Sequence, residues 1–462
     1  MFNVSQCLPN FSLAGKSISL EELLVAKEQR ALLQQQCLSQ YHQSLLSLTL
    51  LAPGAVKKNE LLDYVFTQAL TQLEQLWQTL AIKPTASFIR PLDTGHEAIF
   101  VLDIDATRLK QQAMVLEQSS PLARLWDIDV FDKKGRLLSR SDFDYSPRCC
   151  LICQAEAKHC ARSRQHRLAD IYQVMQQIVN QHYFAEYVAD LVNQALLTEA
   201  TLTPKPGLVD QADNGAHQDM NLATFLLSSQ ALKPFWAAFV YQGIKTAQQP
   251  VAQILAELRP LGLQAEQAMF NATQGINTHK GSIFAFGLTC AALGRLFVQQ
   301  SSFDWQTLSA LIAQICQGIS QELEKPTQLA TAGINIYQRY GIKGARGEAE
   351  QGFPLVQYAL SELLQVKERD EQHRLLLALL QLCANNQDTN VIHRAGMEGL
   401  YWFRSTAKQL LEQQQVTTKI EVLEQALNSF NQQCIHKNIS PGGSADLLAL
   451  SWFIYQFFYF KH

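Results

Sequence analysis

The clearest alternation of apolar and polar positions in the chain is Leu125-Trp126-Asp127-Ile128-Asp129-Val130-Phe131, which has the two-residue period of a strand. Trp126, Ile128 and Val130 fall on one face, Asp127 and Asp129 on the other. The turn residues Asp132-Lys133-Lys134-Gly135 and the return run Arg136-Leu137-Leu138 complete a hairpin. Upstream, Ser19-Leu20-Glu21-Glu22 has capping-box spacing and predicts a helix over residues 21–40. Residues 45–51 form an apolar run that reads as a buried strand, although so short a run also fits a helix. A helix from Asn59 to Leu80, strands at 86–90 and 97–102 and a helix from Ala106 to Leu116 follow. The first part is therefore an α+β domain built on a sheet.

Beyond residue 170 the period changes. Helical spacing marks 303–323, 374–384 and 407–425, and the stretch from Ala445 to Phe460 is apolar on every side, as a buried helix would be. Few strand signals interrupt this, so the second part reads as all-α. The helix-favouring run Asp170 to Gln177 crosses the join, and the expected domains are 1–176 and 177–462.

Polar, glycine-bearing knots separate the helices: residues 203–210, 214–220, 274–281, 340–348, 388–396 and 440–446. Gln274-Gly275-Ile276-Asn277-Thr278-His279-Lys280-Gly281 is the densest. Glycines let backbone N–H groups approach a phosphate, and lysine supplies a point charge. The spacing is not that of a Walker loop. Taken singly, each knot also fits a plain helix–loop–helix joint. Together, polar loops on a helical scaffold suggest one shared pocket.

Composition narrows the partners. With 47% hydrophobic and 17% charged residues the chain is globular, and a net charge of -3 gives no basic field for nucleic acid. No apolar run reaches the roughly eighteen residues a membrane span requires, and the first residues lack a leader pattern, so a cytoplasmic protein is expected. Its ten cysteines are then expected as thiols. Cys149, Cys150, Cys153, Cys160 and His166 contain the spacing Cys-x2-Cys-x6-Cys-x5-His, which fits zinc or thiols buried along helix faces. Two carboxylates side by side on a strand repel, and Asp127 with Asp129 fits either a divalent-cation site or a solvated face answered by Arg124 or Lys133.

Residues from about 15 to 175, through Pro121 to Val130 and Arg148-Cys149-Cys150-Leu151-Ile152-Cys153, resemble apo-citrate lyase phosphoribosyl-dephospho-CoA transferase. Residues from about 180 to 462 resemble triphosphoribosyl-dephospho-CoA synthase, through Thr203-Pro204-Lys205-Pro206-Gly207-Leu208-Val209-Asp210, Gly215-Ala216-His217, Asn277-Thr278-His279-Lys280-Gly281 and Ser440-Pro441-Gly442-Gly443-Ser444-Ala445-Asp446. The order is similar to that of fused bifunctional citrate lyase maturation proteins. The resemblance implies a nucleotidyltransferase-like first domain. It also implies two steps: ATP and 3′-dephospho-CoA give 2′-(5″-triphosphoribosyl)-3′-dephospho-CoA and adenine, and this product is then joined to a serine of the apo-citrate lyase acyl carrier (gamma) subunit with release of diphosphate. Rival readings are the equivalent malonate decarboxylase maturation enzyme and a non-catalytic carrier-binding chaperone.

For such chemistry a carboxylate should stabilise the ribosyl cation and an acid should protonate the leaving adenine. Asp219, Glu266, Glu348 and Asp446 are candidates for stabilising the cation, orienting the attacking hydroxyl or binding Mg²⁺, and His217 and His279 for proton transfer. Lys205, Lys280 and Arg346 would neutralise the triphosphate, with Gly207, Asn277, Gly281, Gly442 and Gly443 lining its loops. In the first domain Asp127 and Asp129 would hold Mg²⁺ and Arg124 or Lys133 would assist diphosphate. His96 is either a base for the carrier serine or a turn histidine.

Overall fold

Strands and helices alternate up to residue 138, after which helices take over almost completely. A computed structural model describes residues 2–4, 8–153, 155–324, 331–365, 370–414 and 419–460. A two-residue strand, β1 (Phe2–Asn3), opens the chain and pairs with Ser302–Phe303. Contacts divide the molecule into two units: Leu8–Tyr183, and Phe184 onward together with β1.

The first unit is built on an antiparallel sheet. Helix α1 (Leu20–Tyr41) starts at Ser19, whose hydroxyl and Glu22 form the anticipated capping box. It leads into β2 (Ser44–Leu50) and helix α2 (Glu60–Thr79), capped by the Asn59 side chain. Strands β3 (Ala86–Leu92) and β4 (Gly95–Leu102), helix α3 (Ala106–Leu116), β5 (Trp126–Phe131) and β6 (Leu137–Leu138) follow, in the order β3-β4-β2-β5-β6. One sheet face carries Leu46, Leu48, Trp126, Ile128 and Val130 and packs on Leu61, Val65, Phe66, Ala69, Leu73 and Trp77 of α2. Each such Val, Leu, Ile or Phe side chain stabilises by roughly 1.5–3 kcal/mol relative to exposure. Beyond β6, the described residues between 139 and 167 hold short 3-10 and helical turns, including α4 (Ala157–Ser163), and an isolated antiparallel bridge between Cys149 and Glu156.

Helix α5 (Leu168–Thr201) gives Met175 and Val179 to the sheet unit's core, and Phe184, Val188, Val192 and Leu196 are buried in the second unit. There follow α6 (Leu222–Lys245), α7 (Val251–Ala272), α8 (Lys280–Gln299), β7 (Ser302–Phe303) and α9 (Trp305–Ile315). The remaining helices are α10 (Ala332–Tyr340), α11 (Gly344–Glu350), α12 (Pro354–Gln365), α13 (Glu371–Asn385), α14 (Thr389–Gln414), α15 (Ile420–His436) and α16 (Gly442–Phe458). Among the described residues the unit is thus helical apart from the β1–β7 ribbon, where Phe2 stacks on Phe457 at 4.3 Å.

Several expectations change. Helix α8 is long and apolar enough to cross a membrane, contrary to the sequence reading, which its interspersed serine, threonine and glycines obscured. Its residues Ser282 to Leu296 are nearly all buried within the unit, which accounts for its apolarity. The helix expected over 303–323 ends at Ile315, because Gly318 takes a left-handed conformation (φ 78°) before a 3-10 turn. The helix expected over 407–425 corresponds to the end of α14 and the start of α15, and residues 415–418 lie outside the described residues. Arg346 and Glu348 lie on the short helix α11 rather than a loop, and Arg394 lies on α14 before a kink at Gly396 (φ 69°). All described cysteines are free.

Candidate functional site

On the outer sheet face, strand register sorts side chains into rows. The first row, Ala86, Val101, Leu45 and Phe131, is mostly apolar; the second is Phe88, Ile99, Ser47 and Asp129; the third, Arg90, Glu97, Thr49 and Asp127, is wholly polar. Helix α1 covers this face with a matching gradient at helical spacing. Cys37 packs on Leu45, Ile99 and Val101, Gln34 donates to the Ser47 hydroxyl at 3.0 Å, and Arg30 reaches Glu97 at 3.4 Å. Buried Glu97 also pairs with Arg90 at 3.0 Å. Asp127 is exposed and Asp129 half-buried. Burial, and then the neighbouring Asp127, push the Asp129 carboxyl above the usual carboxylate range, while Lys110, Arg30 and Arg148 pull it back.

Residues 126–129 of β5 lack a strand partner on their second edge, and side chains supply the missing bonds. The Ile128 amide donates to Glu117 at 3.1 Å and its carbonyl accepts from Lys110 at 3.0 Å. Arg148 donates to the Trp126 carbonyl and pairs with Glu117, which also binds Arg140 at 3.0 Å. Burial raises Glu117 against Arg148 and lowers buried Lys110 against Glu117. This framework fixes the strand that displays the two aspartates. Their shared face and mutual repulsion fit a divalent cation.

The other residues expected here lie elsewhere. Arg124 donates to the Cys149 carbonyl at 2.8 Å, and Lys133 is exposed in the hairpin turn. His96 is buried against Phe66, with Nε2 2.6 Å from Asp63, and burial lowers its pKa.

In the helical unit the expected loops converge on the N-terminus of α16. Asp446 accepts from the Ser282 hydroxyl, and a methyl at Gly281 would overlap its Oδ2, so the 277–281 loop packs directly on this carboxyl. Asp388 accepts from the Ser444 amide at 2.8 Å and from the Asn390 amide at 2.9 Å, and Gly443 lies against it. Gly442 abuts Asn390, and Gly344 at the start of α11 abuts Thr389. Burial, with Glu199 and Asp388 adding to it and Ser282 opposing, pushes Asp446 up to about 7.

Lys205 is buried with its ammonium 2.5 Å from Glu199 Oε1 and 2.6 Å from the Glu199 carbonyl near the end of α5. Asp210 organises its loop, accepting from the amides of Lys205, Ala212 and Asp213. Gly207 (φ 72°) presses on the Ile439 carbonyl and donates to Asn431 at 2.8 Å. His279 is buried beside this pair. Thr278 donates to Ser228 at 2.7 Å, and Ser228 lies 2.6 Å from His279 Nδ1. A relay in that direction gives Nδ1 the Ser228 proton and leaves Nε2 as an N–H, which is buried without a partner. Burial and then Lys205 lower His279 to about 3, so it is neutral at ordinary pH.

A second group lies where the 214–220 loop meets residues 438–440. His217 Nε2 is 2.7 Å from the Ser440 hydroxyl, and its Nδ1 is 3.7 Å from Asp219. Arg394 donates to the Ala216 carbonyl and to Asn438. Burial, then Arg394, lower His217. Lys280 and Glu266 pair at 2.9 Å, and Asn277 accepts from the Lys280 amide at 3.2 Å. Glu348 accepts instead from the Leu355 amide at 3.2 Å, with burial raising it to about 7, and Arg346 has no described polar contact; neither is joined to Asp446 by a described bond.

Sequence reading missed Arg30, Glu97, Lys110, Glu117 and Arg148 in the first unit and Glu199, Ser228 and Ser282 in the second. A lysine on the otherwise buried stripe Ala106, Leu109, Ala113 of α3 was the available signal for Lys110.

A family model described as apo-citrate lyase phosphoribosyl-dephospho-CoA transferase matches residues 18–182, and one described as ATP:dephospho-CoA triphosphoribosyl transferase matches residues 185–461. The chain is 52% identical over 455 residues to Protein CitXG of Haemophilus influenzae, covering 97% of this chain and 98% of that protein. It is 47% identical over 324 residues to the 2-(5''-triphosphoribosyl)-3'-dephosphocoenzyme-A synthase of Haemophilus ducreyi, covering 67% and 100%. A probable synthase of the same description from Vibrio cholerae is 44% identical over 275 residues, covering 58% and 87%. The chain belongs to the fused bifunctional transferases of citrate lyase prosthetic-group maturation, with a phosphoribosyl-dephospho-CoA transferase and a triphosphoribosyl-dephospho-CoA synthase in one polypeptide.

Proposed function

We propose that the two activities use the two sites described, with residues 1–176 as the transferase domain and 177–462 as the synthase domain. The observation that carries the synthase reading is the convergence of five separated segments on Asp446, Asp388, Glu199, Lys205 and His279. In this reading the 2′-hydroxyl of 3′-dephospho-CoA attacks the ribosyl carbon of ATP, the bond to adenine breaks, and the hydroxyl proton leaves to solvent, from which Asp446 is reprotonated after each turnover. Asp446, protonated up to about neutral pH, gives its proton to the departing base. His279 Nε2–H donates to a substrate oxygen rather than moving a proton, and the carboxyl oxygens of Glu199 and Asp388 favour positive charge on the ribose. Lys280, Arg346 and Arg394 meet the triphosphate, with Gly207, Gly442 and Gly443 keeping the loops close; Lys205 acts through Glu199.

In the sheet unit the reading is a nucleotidyltransferase-like site. Asp127 and Asp129 would hold Mg²⁺, which when bound would neutralise the phosphates of the intermediate. Arg30 and Arg90, fixed by Glu97, orient the phosphates, and the acyl carrier subunit presents its serine at this open face. The test is Asp127→Asn, assayed separately for adenine release and for carrier loading followed by mass spectrometry. Loading should fall on the order of a hundredfold or more with adenine release unchanged. Equal loss of both would sink the two-site division.

A further inference from the structure

We propose that Cys150, Cys153, Cys160 and His166 form a closed, structural zinc site that staples residues 148–166 beside the acidic strand. The chemistry proposed above gives these thiols no role. The four candidate ligand atoms lie within 4.8 Å of one another, with Cys153 Sγ 3.5 Å from Cys160 Sγ and 3.3 Å from His166 Nε2. Tetrahedral zinc with Zn–S of about 2.3 Å and Zn–N of about 2.0 Å sets its ligand atoms roughly 3.4–3.8 Å apart, close to this arrangement without large movement.

The backbone is folded to deliver these atoms. The Cys150 amide donates to the Ala155 carbonyl and the Ala157 amide to the Arg148 carbonyl, both at 2.8 Å, closing a small hairpin. Within it the Ile152 amide donates to Cys150 Sγ at 3.4 Å, a bond that stabilises a thiolate. Helix α4 then presents Cys160 from its buried side, and Arg164 in the left-handed region (φ 51°) turns the chain so that His166 comes back to Cys153. Cys149, next in sequence, is exposed and is not in the cluster.

The segment's other anchors are few: Arg140 and Arg148 pair with Glu117, the Cys149 carbonyl accepts from Arg124, and Leu151 packs at the edge of the sheet core. Between residues 139 and 167 Cys160 is the one buried residue among those described, and α4 is seven residues long. So little apolar burial contributes little to ordering a segment of this length, and a bound metal is a common substitute. With four protein ligands and no open position, the ion would be structural rather than catalytic. Its consequence lies two residues away, where Arg148 binds the Trp126 carbonyl and Glu117 at the edge of the strand bearing Asp127.

The test uses the full chain, purified under reducing conditions without chelator. About one zinc per chain is expected by elemental analysis, and the zinc-depleted protein should take up Co²⁺ with thiolate-to-metal charge-transfer absorption and the d–d bands of a tetrahedral site. Cys153→Ser and His166→Ala should each lose at least tenfold in metal affinity, whereas Cys149→Ser should retain zinc. A native stoichiometry near zero with no cobalt spectrum overturns the proposal, as does a Cys153–Cys160 disulfide in the freshly purified protein. Loss of metal in Cys149→Ser overturns the ligand set. Because the wild-type cobalt titration needs no variant, misfolding of a substituted protein leaves the test decisive.

Discussion

Asp127 and Asp129 are two residues apart on one strand, exposed or half-exposed, and share a face with Arg90, Glu97, Thr49 and Ser47 through sheet register. Asp446, itself half-buried, instead lies within electrostatic reach of two buried carboxyl groups from distant segments, Glu199 near the end of α5 and Asp388 just before α14. In the sheet the local two-residue period is enough to set two carboxylates side by side, and water screens part of their repulsion. In the helical unit burial withholds that screening, and Asp446 stays protonated to about 7. The contrast suits the two chemistries: an open acidic face is ready for a cation, and a half-buried neutral carboxyl is ready to give up a proton.

The sharpest way to break this comparison is Asp446→Asn. Loss of the proton donor should slow adenine release by about 10²- to 10⁴-fold, while purified triphosphoribosyl intermediate is still loaded on the carrier. In the wild type the rate of synthesis should fall as pH rises through about 7, and that limb should vanish in the residual activity of the variant. The stability effect has a definite sign. A carboxyl raised above its unfolded value makes the native state bind more protons, so this group's contribution is full below the unfolded value of about 4 and is lost as pH rises through about 7. Denaturant unfolding at pH 5 and pH 8 should show a smaller drop for Asp446→Asn than for the wild type. An unchanged adenine-release rate would refute its role as donor.

Lys205 tests whether the buried cations serve the substrate or the fold. It was expected to neutralise triphosphate, yet its ammonium is committed to Glu199 and the end of α5. Lys205→Met should destabilise by about 3–5 kcal/mol in urea unfolding, because it strands a buried Glu199 carboxylate. Adding Glu199→Leu should recover most of that loss. If Lys205→Met keeps its stability but loses ATP affinity, the ammonium belongs to the substrate after all.

These cases mark what a linear reading can and cannot reach. The sheet unit was legible because strand period and capping boxes are local: α1, α3 and the 126–138 hairpin fall where the pattern put them. The glycine-bearing segments of the second unit were legible as a set, since Gly281, Gly442 and Gly443 each crowd a polar side chain. The partners of those groups were not. Glu199 ends an ordinary helix, Ser228 lies inside another, and nothing in either neighbourhood signals a burial that depends on contacts across the fold. Arg124 misled for the complementary reason: adjacency to Asp127 in sequence placed it near the acidic pair, but its guanidinium turns to the Cys149 carbonyl.

The mildest test concerns the half-exposed Lys280, which pairs with Glu266 at 2.9 Å at the start of α8. An ion pair open to water contributes little to folding, so Lys280→Ala should change unfolding free energy by less than about 1 kcal/mol. A cation that instead meets an incoming triphosphate should matter to binding, and the same substitution should raise KM for ATP roughly ten- to a hundredfold. Raising salt should weaken ATP binding more in the wild type than in the variant, because screening acts on a charge the variant lacks. Supplied intermediate should still load the carrier at the wild-type rate. A variant with unaltered KM would make Lys280 a surface residue and move phosphate recognition to Arg394 and the buried N–H of His279.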